Sequence, residues 1–186
     1  FASTQTLVNT LVVAAQPADI AKIASQPGVK KVHPDRELRL HLHKSIPLIG
    51  ADQVWIKTNQ QNQLLLGTGI RVGVIDTGID YTHPDLGGCF GDGCKVAGGY
   101  DFYDNDADPM DHDSHGTHVA GIIAANGTVK GVAPEATLYA YRVCAQYCPT
   151  SFIIQALEHA ADPDQNPMTQ DALDVVNLSL GGPGDL

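Results

Sequence analysis

A chain of 186 residues with a formal net charge of −10 fits one globular domain and is long enough to bury a hydrophobic core. Its composition, 43% hydrophobic and 17% charged, excludes a chain that is disordered throughout. The acidic balance argues against a nucleic-acid partner, and no apolar run approaches the length of a membrane span, so neither nucleic acid nor a membrane is expected as a partner.

The first 45 residues form a separate piece with an α/β pattern. The pattern predicts a strand over residues 6–14, a short helix begun by Pro17 over residues 17–25, and another strand over residues 29–33. An amphipathic segment over residues 46–55 then leads into the main domain.

The remainder of the chain alternates strands with helices. Residues 70–75 are almost wholly apolar and predict a strand buried on both faces. Asp76 follows at its C-terminal end, where open α/β sheets place their chemistry. Further elements are predicted as strands over residues 137–143 and 173–178 and a helix over residues 152–161 with Ser151 as its cap. The fold class is therefore α/β, a three-layer domain with a largely parallel sheet.

A histidine is expected at the start of a second, short apolar helix. Ser114 or Asp113 is a good helix N-cap and would place His115 in the first turn. The positive end of the helix dipole disfavours imidazolium, so we expect His115 to be neutral at rest, as a general base must be. Asp76 is the candidate carboxylate that orients this base and stabilises the imidazolium that it becomes.

Four motifs carry a family resemblance. They are Val-Ile-Asp-Thr-Gly at 74–78, His-Gly-Thr-His-Val-Ala-Gly at 115–121, Gly-Val-Ala-Pro at 131–134 and Asn-Leu-Ser-Leu-Gly-Gly at 177–182. In this order they resemble the subtilisin-like serine proteases, the subtilases. The resemblance implies a serine endopeptidase that acts on protein or peptide substrates, with Asp76 and His115 as the acid and base of an Asp-His-Ser triad.

The family's nucleophilic serine and its oxyanion-hole asparagine are expected beyond residue 186. Residues 46–186 would thus be the N-terminal part of a catalytic domain, and this chain alone is predicted to have no measurable peptidase activity. The resemblance also implies that Ser179, Leu180 and Gly181 form one wall of the substrate pocket. Residues 145–149 take the place of the edge segment that pairs with an extended substrate.

The N-terminal piece resembles the second half of a subtilase propeptide over residues 17–32. In that family the propeptide chaperones folding and inhibits the enzyme until it is cleaved. Residues 1–45 are accordingly predicted to be the C-terminal part of a propeptide with its linker, an intramolecular inhibitor; an ordinary N-terminal decoration is the alternative. The basic run over residues 36–44 is either an extended tail in the cleft, processed near residues 40–46, or a solvated linker.

The four cysteines fall in two close pairs, Cys89/Cys94 and Cys144/Cys148. Two local disulfides are the natural pairing, while a four-thiolate zinc site and reduced thiols in a cytosolic protein remain alternatives. Disulfides predict a secreted or extracellular protein, and a bridge at the second pair would stiffen the substrate edge. Residues 1–5 do not resemble a signal peptide, so the natural protein is expected to begin upstream.

Residues 101–113 are rich in aspartate. The spacing of Asp104, Asp106 and Asp108 begins like an EF-hand, but Pro109 and His115 stand where glycine and glutamate are required. A solvated acidic loop near the cleft is expected, with weak calcium binding or a preference for basic substrate residues as alternatives.

No cofactor is required by these motifs, and no metal ligands are assigned. In some subtilases the aspartate that matches Asp85 binds calcium together with a loop in the region of the catalytic-histidine helix. Residues 124–131 leave no room for that loop, so a structural calcium ion is an open alternative that lacks the loop which usually helps to bind it.

Two rival functions belong to other classes. A pseudo-protease or truncated product that only binds peptides would be expected to have lost the acid or the base, and both are present. A metal-dependent hydrolase using His112, His115 and the aspartates would need ligands at standard spacings, which are missing. His118 is predicted to be a structural, hydrogen-bonding histidine.

Overall fold

The computed structural model describes residues 2–5, 10–35, 37–40, 49–166 and 168–182. The strands are β1 (Ala2–Gln5), β2 (Thr10–Val13), β3 (Glu37–Leu40), β4 (Arg71–Asp76), β5 (Val96–Asp101), β6 (Thr137–Arg142), β7 (Cys148–Pro149), β8 (Val175–Asn177) and β9 (Leu180–Gly181). The α-helices are α1 (Ile20–Ala24), α2 (Ala51–Trp55), α3 (His115–Ala124) and α4 (Thr150–Ala161). Within these ranges no helix combines the length and the apolar character that crossing a bilayer demands.

The main sheet has the strand order β5-β6-β4-β8. All of its pairings are parallel, with β4 lying between β6 and β8. Both faces of β4 are buried, and Val74 and Ile75 have no exposed surface. Because parallel neighbours need crossover connections, the intervening helices cover the sheet, and the predicted α/β class is confirmed.

Two hydrophobic clusters lie on opposite faces of this sheet. On one face Val74 and Leu138 pack against Val119 and Ala120 of α3. On the other face Ile75 and Tyr141 pack against α4, including its Ile153 and Ala156. The alternation of Val74 and Ile75 between the two clusters follows from the period of two along a strand. The result is the predicted arrangement of helix, sheet and helix.

The N-terminal region begins with an antiparallel hairpin of β1 and β2. Of the strand predicted over residues 6–14, residues 10–13 form β2, and residues 6–9 lie outside the described residues. The predicted proline-initiated helix is present as a 3₁₀ turn at Pro17–Asp19 that continues into α1. The predicted strand over residues 29–33 is wrong. Val29 and Val32 are each 38% exposed there, so their β-propensity finds no sheet surface to pack against.

A second, three-stranded sheet joins the N-terminal region to the main domain. Its order is β7-β3-β9, and β3 is antiparallel to both neighbours. The described part of the basic run is therefore an extended strand. The remainder of that run, like the predicted boundary at residues 45–46, lies outside the described residues.

The start of α4 provides another contact with the N-terminal region. The Asp35 carboxylate accepts hydrogen bonds from the Ser151 backbone N–H at 2.9 Å and from its hydroxyl at 2.6 Å. The prediction that Ser151 itself caps the helix is wrong, because α4 begins one residue earlier, at Thr150. Asp35 supplies the acceptor that a helix N-terminus requires.

Candidate active site

Asp76 lies at the carboxyl end of the central strand β4 and is completely buried. Its backbone carbonyl accepts hydrogen bonds from the N–H groups of Val143 and Cys144, which follow β6. Its carboxylate Oδ1 accepts a hydrogen bond from the Thr77 N–H at 2.8 Å. Main chain and side chain are thus both fixed by bonds from neighbouring segments.

His115 is the first residue of α3 and faces this carboxylate. The distance from His115 Nδ1 to Asp76 Oδ1 is 2.8 Å. Among the described residues, His115 Nε2 and Asp76 Oδ2 are buried and have no hydrogen-bond partner. Because Nδ1 must carry the hydrogen that it donates to the carboxylate, a neutral ring would leave Nε2 as the basic nitrogen.

Burial raises the pKa of Asp76 above its usual value. The hydrogen bonds from His115 and from the Thr77 N–H lower it, but they do not fully offset the loss of water. A positive charge on the neighbouring imidazole would favour the ionised carboxylate, so each member of the pair stabilises the charged form of the other.

The start of α3 is held by Asp111. The Asp111 carboxylate accepts hydrogen bonds from the N–H groups of Asp113, Ser114 and Thr117, at 2.8 to 3.0 Å. Ser114 occupies the N-cap position with φ of 87°, but its side chain makes no capping hydrogen bond. The prediction of Ser114 or Asp113 as the capping side chain is therefore wrong. Several acidic residues precede this helix, and their spacing does not reveal which one folds back onto it.

Close packing of α3 against the end of β4 depends on Gly116. The Gly116 N–H donates a 2.8 Å hydrogen bond to Thr77 Oγ1. A Cβ at this position would lie 2.1 Å from the Gly78 carbonyl oxygen and 3.1 Å from Asp76 Oδ1. The absence of a side chain therefore lets the helix approach until its first residue reaches the carboxylate.

The predicted substrate wall forms part of the three-stranded sheet. Leu180 and Gly181 make up β9 and pair with Leu40 and Arg39 of β3. Ser179 precedes that strand, and its hydroxyl accepts a hydrogen bond from the Asn177 amide at 3.0 Å. On the other side of β3, Cys148 and Pro149 pair with Leu38 and Glu37. The predicted substrate edge at β7 and the predicted substrate wall at β9 thus lie on either side of the extended strand β3.

The four cysteines form two local disulfides, Cys89–Cys94 and Cys144–Cys148. This pairing leaves no free cysteine among the residues that the structure describes. Because all four sulfur atoms are in disulfides, the structure contains neither a four-thiolate zinc site nor reduced thiols at these cysteines.

The acidic loop is largely solvated, as expected: Asp104, Asp106, Asp108 and Asp113 are exposed, and the exception is the buried Asp101. Asp101 is only 2% exposed and, with Asp104, forms an ion pair with the guanidinium of Arg142. Asp108 accepts a hydrogen bond from the Tyr81 hydroxyl at 2.7 Å. A cation buried at the end of β6 therefore accounts for part of the aspartate run, and nothing in the sequence pattern indicates that partner.

Asp85, the position linked to calcium in some subtilases, bonds to backbone N–H groups. Its two carboxylate oxygens accept from Thr128 at 2.9 Å and from Val129 at 2.8 Å. These bonds hold the pKa of Asp85 below its usual value. The carboxylate thereby fastens the short turn that follows α3.

Three carboxylates lie close together in a different loop. In the described ranges, the carboxylates that could share a cation belong to Asp162, Asp164 and Asp171, whose oxygens lie within 4.8 Å of one another.

The predicted structural role of His118 is wrong, since its side chain is exposed and makes no hydrogen bond with the described residues. His112 is likewise exposed.

In this geometry a buried carboxylate fixes an imidazole whose other nitrogen has no hydrogen-bond partner among the described residues. The sequence profile described as the Subtilase family matches residues 67–186. The chain belongs to the subtilases, a family of serine proteases.

Individual relatives agree with this assignment. The chain is 39% identical over 191 residues to the minor extracellular protease Vpr of Bacillus subtilis, covering 88% of this chain and 22% of that protein. It is 42% identical over 143 residues to subtilisin DY of Bacillus licheniformis, covering 74% and 44%. Among solved structures, the S41 psychrophilic protease matches with a TM-score of 0.55 and 34% identity, covering 74% of this chain and 44% of that one. The chain therefore spans less than half the length of these relatives.

Proposed function

We propose that this chain is the N-terminal part of a serine endopeptidase that hydrolyses peptide bonds with an Asp-His-Ser triad. Asp76 is the acid, His115 is the base, and the serine is supplied by residues beyond 186. The observation that carries the proposal is the 2.8 Å bond between His115 Nδ1 and Asp76 Oδ1, which leaves the buried Nε2 unpartnered.

Each group has one role in the acyl transfer. Asp76 holds His115 in the tautomer with the proton on Nδ1. Nε2 takes the proton of the serine hydroxyl as its oxygen bonds to the substrate carbonyl carbon, and then gives that proton to the leaving amine as the peptide bond breaks. Water attacks the resulting acyl ester by the same route in reverse, releasing the acid and restoring the serine.

The chain on its own is expected to have no measurable peptidase activity. In triad proteases that lose the nucleophile, a residual acceleration of about 10³–10⁴ over water comes from the oxyanion hole and substrate binding. The family's oxyanion-hole asparagine is also expected beyond residue 186. The chain alone would therefore lack both the nucleophile and the oxyanion hole.

We further propose that residues 1–45 are the C-terminal part of a propeptide that inhibits the enzyme as an intramolecular partner. Two contacts support this role. β3 lies between β7 and β9, where an extended substrate would pair. Asp35 also accepts the two hydrogen bonds from Ser151 at the start of α4. Processing would then follow β3, near residues 40–46.

The inhibitor proposal can be tested with Asp35→Ala in the full-length protein. Loss of this helix cap should weaken inhibition by residues 1–45 about fivefold. Asp19→Ala is the matched control, because Asp19 precedes α1 but makes no side-chain capping bond. Equal inhibition by the two variants in a peptide-hydrolysis assay would argue against a role for the Asp35 contact.

We propose that the protein is secreted and acts outside the cell. The two disulfides favour an oxidising compartment, and one relative is described as an extracellular protease. Mass spectrometry of the culture medium and of washed cells would locate the mature protein.

The decisive experiment for the activity is fluorophosphonate labelling of the native protein. Label on a species well above 19.7 kDa, lost in His115→Ala, is the expected result. Label at 19.7 kDa would place the nucleophile within this chain. The absence of any labelled species after removal of residues 1–45 would favour a peptide-binding pseudo-protease, and loss of hydrolysis in a chelator would favour a metal-dependent hydrolase.

A further inference from the structure

The loop between β6 and β7 is closed by the Cys144–Cys148 disulfide and connects two parts of the candidate active site. At one end, the Cys144 N–H donates a 3.1 Å hydrogen bond to the backbone carbonyl of Asp76. At the other end, Cys148 begins β7 and pairs with Leu38 of β3. Both cysteines are buried, with exposures of 0% and 1%. One covalent bridge therefore joins the surroundings of the triad acid to the edge that pairs with an extended chain.

The same loop contributes to a cavity beside the acid. Cys144, Ala145 and Gln146 form one side of a cavity of about 210 Å³, and Thr77 and His112 contribute to its lining. Thr77 is the residue whose N–H bonds to the Asp76 carboxylate. A displacement of the loop would therefore change both the cavity and the edge strand.

Once β3 has left, β7 is held by the Cys144–Cys148 bridge, by the packing of Cys148 against α4 and by its direct continuation into that helix at Thr150. β7 contains two residues, and Pro149 has no N–H to contribute to a ladder. An aromatic contact supports the loop from outside, with the rings of Tyr147 and Tyr103 6.0 Å apart. Tyr147 is 40% exposed, so this contact is only partly shielded from water.

We propose that the Cys144–Cys148 disulfide is a positioning element that fixes β7 in register with Asp76 and so pre-organises the site for extended peptides. This role rests on the proposed protease function. The ligand class is an extended peptide that pairs with β7 and β9 as the four residues of β3 do. Pre-organisation reduces the conformational entropy that the edge would otherwise lose on binding.

The test compares two double variants of the full-length protein from which residues 1–45 have been released. Cys144→Ala/Cys148→Ala removes the bridge in question. Cys89→Ala/Cys94→Ala is the matched control, because it removes a local bridge of similar sequence separation, 5 residues instead of 4. Each is assayed on a peptide with four residues before the scissile bond and on an ester of a single acylated amino acid.

The proposal predicts a loss that depends on substrate length. For the long peptide, kcat/KM should fall about tenfold in Cys144→Ala/Cys148→Ala, mainly through KM, because the edge hydrogen bonds would then form at the expense of ordering the loop. The single-residue ester should change less than about twofold, since it does not reach β7. The control variant should keep both activities.

Other outcomes would overturn the proposal. Equal losses on the two substrates would mean that the bridge supports the fold in general and not the edge. If Cys144→Ala/Cys148→Ala fails to fold, Cys144→Val/Cys148→Ala is tested in its place, because valine fills more of the apolar site. If neither variant folds while the control variant does, the bridge is needed for folding and the proposal is wrong. A wild-type protein inactive on both substrates would instead refute the underlying protease function.

Discussion

Gly116 offers a sharp test of how the active site is assembled, because helix propensity and tertiary packing predict opposite effects of Gly116→Ala. Propensity alone predicts that alanine inside α3 stabilises the protein by about 1 kcal/mol. In the structure, however, the new Cβ would lie 2.1 Å from the Gly78 carbonyl oxygen. Ordinary C···O contacts are about 3.3 Å, so α3 or the Gly78 turn must move by about 1 Å.

That displacement acts directly on the acid–base pair. The neighbouring residue is His115, and the same Cβ would be 3.1 Å from Asp76 Oδ1. Overpacking of this kind costs about 1–3 kcal/mol of stability, and a 1 Å error in a catalytic group costs about 10²-fold in rate. We therefore expect Gly116→Ala to unfold at lower denaturant concentration and to lose about 10²-fold in kcat/KM.

The assay is peptide hydrolysis by the full-length protein, with urea unfolding measured in parallel. Gly121→Ala in the same helix is the control, because a Cβ added there meets no atom within 4 Å outside the helix's own backbone. It should keep its activity and gain up to about 1 kcal/mol. If Gly116→Ala matched Gly121→Ala in rate and stability, the close approach of α3 to β4 would not be what positions the base.

Three further outcomes follow, two from the contacts of Asp76 and Asp111 and one from His159, a residue of α4 whose ring lies 5.4 Å from that of Tyr141. Asp76→Asn should lower kcat by about 10⁴-fold with little effect on folding, because an amide does not hold His115 in the required tautomer; steady-state kinetics at constant pH checks this. Asp111→Ala should cost about 1 kcal/mol in urea unfolding, whereas Asp113→Ala, which removes an exposed carboxylate, should be nearly neutral. Burial lowers the pKa of His159 below its value near 6.5 in the unfolded chain. The contribution of His159 to the free energy of unfolding is therefore present above pH 6.5 and is lost as the pH falls through the lower pKa of the folded state. His159→Gln should make the free energy of unfolding depend less on pH in that acidic range, and an unchanged slope would refute this.

The strand and the helix that carry Asp76 and His115 were predictable because their signals are local, and the pairing of the two side chains was predicted from the family resemblance. The apolar run before Asp76 indicates a strand buried on both faces, and β4 is that strand. The helical pattern after His115 likewise indicates α3. The structure brings the two side chains together, and their roles in the reaction stay a prediction until the serine is identified.

Contacts between distant segments could not be predicted from such patterns. Asp35 and Ser151 are 116 residues apart, and neither position is distinctive in the sequence. The prediction of the residue that caps α3 failed for a related reason. Asp111 reaches the helix through a turn, and several nearby polar residues were equally good candidates for the cap. The prediction of a strand over residues 29–33 failed because a strand needs a partner to pair with, and this segment joins none of the sheets in the described part of the chain.

The two sheets have different resistance to local opening. β4 is hydrogen-bonded on both sides, to β6 and to β8, and its amide protons should exchange with solvent only when the domain opens as a whole. β7 is two residues long at the edge of its sheet, and its one amide proton, that of Cys148, should exchange through smaller, local openings. A strand bound at the rim, such as β3, could therefore dissociate while Asp76 and His115 keep their positions.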